Sequence, residues 1–179
     1  MMRIIAGIYR HRLIDGPIDN PNIRPTKDRI REAIFSSFGD LTNKVFLDLF
    51  SGSGSIGLEA ISRGVTKSYF VDNSPIALNY INKNLNNLAI QNGVVVSSDA
   101  LLALESFANE GIKFDIIYID PPYESNQYLP ILSYIYSNKL LNNGGIVAFE
   151  SNRKIEINDT WYSKIKEYHY GDIMVTVLK

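Results

Sequence analysis

The chain contains no cysteine. Disulfides, thiolate zinc sites and cysteine nucleophiles are thereby excluded, and a reducing compartment is compatible with the composition. Histidine is nearly as scarce. His11 and His169 are the only two, and neither has other ligating residues at metal-binding spacing, so no metal is expected. No apolar stretch approaches the length of a membrane span, and the amino-terminal run is short and interrupted by Arg10 and Arg12, unlike a signal peptide. A cytoplasmic protein without a membrane partner is expected. Internal repeats, low-complexity tracts and long linkers are missing too. What remains, 45% hydrophobic and 21% charged over 179 residues, is the balance of an ordinary globular chain with room for one substantial core and a small appendage.

A net charge of −1 argues at first sight against a nucleic-acid partner, but the distribution matters more than the sum. Residues 1–31 carry seven basic side chains (Arg3, Arg10, Arg12, Arg24, Lys27, Arg29, Arg31) against three acidic ones, a net +4. The remaining 148 residues carry eleven basic and sixteen acidic groups, a net −5. A basic arm precedes an acidic body.

The arm opens with short apolar and basic stretches between Arg3 and Leu13, which predict a small hairpin. Prolines, asparagines and a glycine between Ile14 and Pro25 predict a loop. Thr26 can cap a helix whose apolar face is Ile30, Ala33, Ile34 and Phe38, with the arginines on the other face and Gly39 as the stop.

The body is organised around Val45–Gly57. An apolar run ending in Leu49 and Phe50 predicts a buried strand, Gly52-Ser53-Gly54-Ser55-Ile56-Gly57 a tight turn, and Leu58, Ala60 and Ile61 the start of a helix. Backbone in such a turn can approach a ligand closely. Asp72, about 20 residues on and ending a second apolar run, is placed to accept hydrogen bonds from ribose hydroxyls. Further strands are expected at Val94–Val96, Phe114–Asp120 and Gly145–Glu150, with helices at Ser74-Pro75 onward, Ala100–Phe107 and Tyr128–Tyr136. Ser163–Tyr170 and Ile173–Leu178 alternate about Gly171-Asp172 and predict a terminal hairpin. The expectation is an α/β protein of Rossmann type: seven strands, mostly parallel, closed by an antiparallel carboxy-terminal hairpin and preceded by a hairpin and helix extension. Residues 1–40 would form the extension and 41–179 the main domain.

Asp48 interrupts the apolar strand, and a buried carboxylate needs a partner: a ligand amine, or the backbone of the glycine turn. Asp99 either reaches an adenine amine or caps the helix from Ala100. Glu150 either lines the crevice or hydrogen-bonds to backbone. The most informative stretch is Asp120-Pro121-Pro122-Tyr123, at a strand end that faces the ligand crevice of an open parallel sheet. The prolines lack N–H groups and stiffen the corner, so the Asp120 carboxylate and the Pro121 carbonyl can accept both hydrogens of an amine, while Tyr123 offers a stacking face.

Asp120-Pro-Pro-Tyr123 together with Asp48-Leu-Phe-Ser-Gly-Ser-Gly54 resembles the S-adenosylmethionine-dependent methyltransferases that modify nucleobase amines. Arg3-Ile-Ile-Ala-Gly7, Arg24 to Phe35 and Gly52 to Ala60 are similar, more narrowly, to the bacterial 16S ribosomal RNA guanine-N2 methyltransferases of the RsmD type. Lysine and glycine are usual in that family where Ile8 and His11 stand here. The resemblance implies the class I methyltransferase fold, S-adenosylmethionine as cofactor, and 16S ribosomal RNA, naked or in a small-subunit particle, as partner of a monomeric enzyme. Residue by residue it places Asp48, Ser51, Gly52, Gly54, Gly57, Asp72, Asp99 and Ala100 at the donor. Asp120, Pro121 and Tyr123 fall at the reacting amine, and Arg3, Arg10, His11, Arg12, Arg24, Thr26 and Arg29 on RNA. Three rivals remain at this level: a DNA adenine-N6 methyltransferase, which lacks a sequence-reading module here; a nicotinamide-dependent dehydrogenase, which leaves Asp120-Pro-Pro-Tyr123 unused; and a non-catalytic RNA-binding assembly factor.

Overall fold

A computed structural model describes residues 2–16, 28–122 and 126–179. The extension comprises β1 (Met2–Arg3), β2 (Leu13–Ile14) and α1 (Asp28–Phe38). There follow β3 (Val45–Leu49), α2 (Ser55–Ser62), β4 (Lys67–Asp72), α3 (Pro75–Asn87), β5 (Gly93–Ser97) and α4 (Ala100–Asn109). The chain finishes with β6 (Phe114–Ile119), α5 (Tyr128–Ser137), β7 (Leu141–Ser151), a 3-10 turn (Asp159–Trp161), β8 (Ile165–Tyr170) and β9 (Ile173–Leu178).

β3 lies in the interior of the sheet because both of its faces are apolar enough to be covered. Phe46 packs on one side with Phe35 and Phe38, and Leu47 and Leu49 on the other with Leu104 and Ile131. The seven strands run in the order β5-β4-β3-β6-β7-β9-β8. All neighbouring pairs from β5 to β7 are parallel, and β9 is antiparallel to both β7 and β8, so the terminal hairpin inserts its second strand into the sheet. Helices α1, α2 and α3 bury one face and α4 and α5 the other. The order reverses between β3 and β6, and that switch point opens the crevice at the carboxyl ends of the two strands.

The expected elements are present with shifted ends. β7 begins at Leu141 rather than at Gly145, because Leu141 pairs with Phe114 before the register slips to Ile146 opposite Ile116. Ser74 caps α3 through its hydroxyl, with Pro75 at the first helical position. The cap expected from Thr26 lies outside the described residues, as does most of the loop predicted up to Pro25.

One expectation on α1 is corrected. Arg31 is not on a solvent face with the other arginines; it is 1% exposed. It falls on the same helical stripe as Phe35 and Phe38, and the hairpin closes over that stripe, so its guanidinium donates to the Arg3 carbonyl and to Asp28. The hairpin is fastened to α2 as well. Glu59, fully buried, accepts from the backbone N–H of Ile5 (2.7 Å) and Ala6 (3.0 Å) and from Arg63 Nε (2.7 Å). Gly7 lies so close to α2 that a Cβ there would stand 1.8 Å from the Ser62 carbonyl oxygen. The arm is thus rigidly attached to the helix that leaves the glycine turn.

Candidate active site

The turn after β3 is held by hydrogen bonds from Ser51 and to the carboxylates of Asp48 and Asp72. Phe50 turns the chain out of the strand with φ of 65°, and Ser51 Oγ donates to the Asp48 carbonyl (2.7 Å). Asp48, 2% exposed, accepts the Gly57 N–H at 3.0 Å. Of the two partners the sequence left open for Asp48, the structure shows the backbone of the turn. Burial pushes this carboxyl up to about 8; the Gly57 N–H works against that shift and the Asp72 charge adds to it. Gly57 itself permits close packing of α2 on β4, since a Cβ there would lie 2.2 Å from the Phe70 ring. A Cβ on Gly52, in contrast, would meet nothing within 4 Å, so that part of the turn faces open space.

Asp72 at the end of β4 accepts the Gly52 N–H on Oδ2 (2.9 Å) and the Ser74 N–H on Oδ1 (2.9 Å). Each carboxylate oxygen has a second lone pair, so acceptor capacity toward a hydroxyl is retained. Asp99 caps α4 by accepting the Leu101 N–H (3.0 Å). A cavity of about 110 Å³ separates these groups, lined by Phe50, Val71, Asp72, Asn73, Ser98, Asp99, Ala100, Pro122 and Gln127. Asp72, Asp99 and Ala100 were expected there. Phe50, Asn73, Ser98 and Gln127 were not: Phe50 reads as the last residue of an apolar strand, and only its left-handed backbone brings it to the wall.

Across the crevice β6 ends at Ile119, registered against Leu49. The next residue is Asp120, whose N–H points at the Leu49 carbonyl (3.4 Å). Pro121 is buried and Pro122 exposed. Tyr123 lies outside the described residues. Asp120 belongs to an acidic group on one face of the sheet. The register Ile119 to Phe149 brings Asp120 beside Glu150 at the end of β7, and Asp48 to Tyr118 brings a phenol alongside. Tyr118 donates its hydroxyl to Glu150 Oε1, and the Tyr128 hydroxyl donates to the Glu150 carbonyl at 2.7 Å. Burial, then the Glu150 and Asp48 charges, raise the Asp120 carboxyl well above the usual carboxylate range. The Tyr118 hydroxyl is likewise raised well above its ordinary value by burial and then by Glu150. Glu150 therefore joins the network through its side chain and a tyrosine, a partner that sequence reasoning missed because Tyr118 reads as plain strand core.

The basic arm keeps Arg10, His11 and Arg12 exposed in the hairpin turn. His11 has φ of 66°, a conformation that favours glycine. Arg29 is exposed on α1, and Arg3 pairs with Asp28 at 2.9 Å. Arg24 and Thr26 lie outside the described residues. Among the described residues no cluster could hold a metal ion, and no helix is long and apolar enough to cross a membrane.

A seven-stranded sheet in this order, with a single reversed strand and a glycine turn at its switch point, is the class I methyltransferase fold. The structure of YhhF of Escherichia coli, provisionally described as a methyltransferase, superposes with a TM-score of 0.84 at 28% identity, covering 98% of this chain and 96% of that one. The family model described as conserved hypothetical protein 95 matches residues 2–179, and the chain belongs to that family, which includes ribosomal RNA small subunit methyltransferase D. That enzyme of Escherichia coli K12 is 32% identical over 151 residues, 84% of this chain and 74% of its own length. YlbH of Bacillus subtilis 168, provisionally named an rRNA methyltransferase, is 33% identical over 177 residues, 98% and 91% of the two chains.

Proposed function

We propose that this protein transfers a methyl group from S-adenosylmethionine to the exocyclic N2 amine of a guanine in 16S ribosomal RNA. One observation carries the reading: the Asp120-Pro121-Pro122 corner stands at the end of β6, directly beside the glycine turn at the end of β3, with the cavity between Asp72, Asp99 and Pro122. The names of the relatives supply the substrate class.

The cavity suits the nucleoside end of the donor. Its Asp72 carboxylate retains lone pairs for ribose hydroxyls, its Phe50 and Pro122 walls suit a base, and the open face of Gly52 leaves backbone accessible. Ser51, Gly52, Gly54, Gly57, Asp72, Asp99 and Ala100 would hold it, with Asp48 keeping the turn in shape from below. The donor, when bound, supplies an electrophilic methyl group on a sulfonium.

The chain's own residues handle the amine. A guanine amine is a weak nucleophile because its lone pair is delocalised into the ring. The Asp120 carboxylate and the Pro121 carbonyl accept its two N–H bonds, pull the nitrogen toward tetrahedral geometry and orient the lone pair toward the turn. The Asp120 charge and the Pro121 carbonyl dipole would then stabilise the cation that develops on the nitrogen as the methyl's bond to sulfur gives way to one to nitrogen, and the surplus proton would pass to water afterwards. Tyr123 stacks on a base that has left its helix. Residues 1–40 act as the RNA-contacting extension, with Arg3, Arg10, His11, Arg12, Arg24, Thr26 and Arg29 on phosphates, and residues 41–179 as the transfer domain. The enzyme works as a cytoplasmic monomer on naked RNA or on a small-subunit particle.

Mass spectrometry of small-subunit ribosomal RNA nucleosides, from reactions with and without the protein, tests the reading. N2-methylguanosine that appears only with protein and donor is expected. A methylated adenine, or no new methylation, would overturn it.

A further inference from the structure

Asn84 lies on α3, outside both the donor cavity and the basic hairpin, yet it is 2% exposed and bonded to a residue next to each, Asp15 after β2 and Ser53 in the glycine turn. Its Oδ1 accepts the Asp15 N–H at 2.7 Å, and its Nδ2 donates to the Asp15 carbonyl at 2.8 Å. The same Nδ2 donates to the carbonyl of Ser53 at 3.2 Å. Asp15 follows directly on β2, the strand that continues from Arg12. Ser53 is the residue between the first two glycines of the donor turn. A second contact joins the same two segments, since a Cβ on Gly16 would lie 3.3 Å from Ser53 Cβ. Lys83, the neighbouring residue, adds an ion pair to Asp15 at 2.8 Å.

The carboxamide closes two bonds on one residue of the arm and one on the turn. Buried and out of reach of water, it cannot follow a displacement of either segment without stretching its bonds to the other, and an unpaired buried amide is costly. We propose that Asn84 is a positioning residue that links occupancy of the donor site to RNA binding on the amino-terminal hairpin, so that each ligand tightens the other. The inference rests on the donor and RNA reading given above. RNA seated on Arg10 and Arg12 holds β2 and Asp15 in place, and through Asn84 it holds the Ser53 carbonyl and with it the shape of the glycine turn beside the cavity. By linkage, donor binding tightens RNA by the same factor.

The test is a binding cycle. S-adenosylhomocysteine is titrated calorimetrically into the full chain, alone and with saturating small-subunit ribosomal RNA transcribed in vitro, and RNA affinity is measured with and without S-adenosylhomocysteine. Wild-type protein is expected to show a reciprocal tightening of about five-fold or more, the lower end of ordinary coupling. In Asn84→Ala both ligands still bind and the factor falls to near one. Should Asn84→Ala fail to fold, as circular dichroism would show, Lys83→Glu carries the test. That exposed change repels Asp15 and is expected to reduce the factor by at least half. Independent binding in the wild type, or an unchanged factor in the variant tested, overturns the inference and leaves the proposed function standing. Failure of S-adenosylhomocysteine to bind at all overturns both.

Discussion

The two lips of the crevice hold their carboxylates in opposite ways. On the lip proposed for the donor, Asp48, Asp72 and Asp99 accept backbone N–H groups from Gly57, from Gly52 and Ser74, and from Leu101. On the lip proposed for the amine, the Asp120 carboxylate receives no backbone N–H among the described residues, and its neighbours are the carboxylates of Glu150 and Asp48. The first arrangement uses acids as braces, fixing the shape of a turn. The second places one acid in buried, like-charged company, where an amine or a developing cation is a partner that relieves it.

Two substitutions should separate these roles. Asp120→Ala is expected to lower kcat about a hundred- to a thousand-fold, the range for removing one group aimed at transition-state charge, while S-adenosylhomocysteine affinity changes little. Equal losses of rate and affinity would place Asp120 on the donor lip instead. Asp72→Ala should do the reverse. It strips a charged partner from the part-buried Gly52 and Ser74 N–H groups as well as an acceptor from the cavity, and about 1.5–3 kcal/mol for a hydrogen bond to a charged group corresponds to roughly ten-fold or more in donor affinity. Calorimetry that finds wild-type affinity in Asp72→Ala would show that the turn keeps its shape without the brace.

A smaller effect is expected from the arm. Replacing Arg10 and Arg12 with alanine should weaken RNA binding several-fold near physiological salt and flatten the plot of log affinity against log salt by up to about two, one for each phosphate that is no longer neutralised. An unchanged slope would remove the hairpin turn from the interface.

Most of the glycine-turn lip was legible in the sequence as structure because its signals are local. Strand, glycine turn, helix and Asp72 fall within 30 residues and follow from spacing and turn chemistry. The class of fold followed from the alternation of strands and helices and a closing hairpin. What escaped is what only tertiary pairing creates. Tyr118 and Glu150 are 32 residues apart and meet because β6 and β7 pair in one register. Arg31 read as a solvent-facing arginine because nothing local shows that the hairpin will fold over α1. Glu59 and Asn84 are single polar residues in ordinary helices, and their partners on the arm lie 53 to 69 residues away. Phe50 was placed correctly along the chain and wrongly in conformation, since strand residues and left-handed residues carry no distinct signal unless they are glycine.

The finest comparison between the lips is electrostatic. Asp120 must be ionised to accept its share of the amine hydrogens strongly, so turnover should fall as pH drops through its raised pKa, giving an acid limb above the ordinary carboxylate value. Three groups face it: Glu150 from β7, Asp48 from β3 and the Tyr118 phenol. Glu150→Gln removes one like charge and preserves an oxygen for the Tyr118 hydroxyl, which lowers the Asp120 pKa. The acid limb of kcat should therefore move to lower pH, with the plateau close to wild type. Asp72→Asn supplies the contrast, because Asp72 is not among the charges that raise Asp120. It should weaken the donor and leave the limb where it was. A limb that stays fixed in Glu150→Gln, or moves in Asp72→Asn, would mean that the titrating group belongs to the donor lip, and the division between bracing and reacting carboxylates would have to be redrawn.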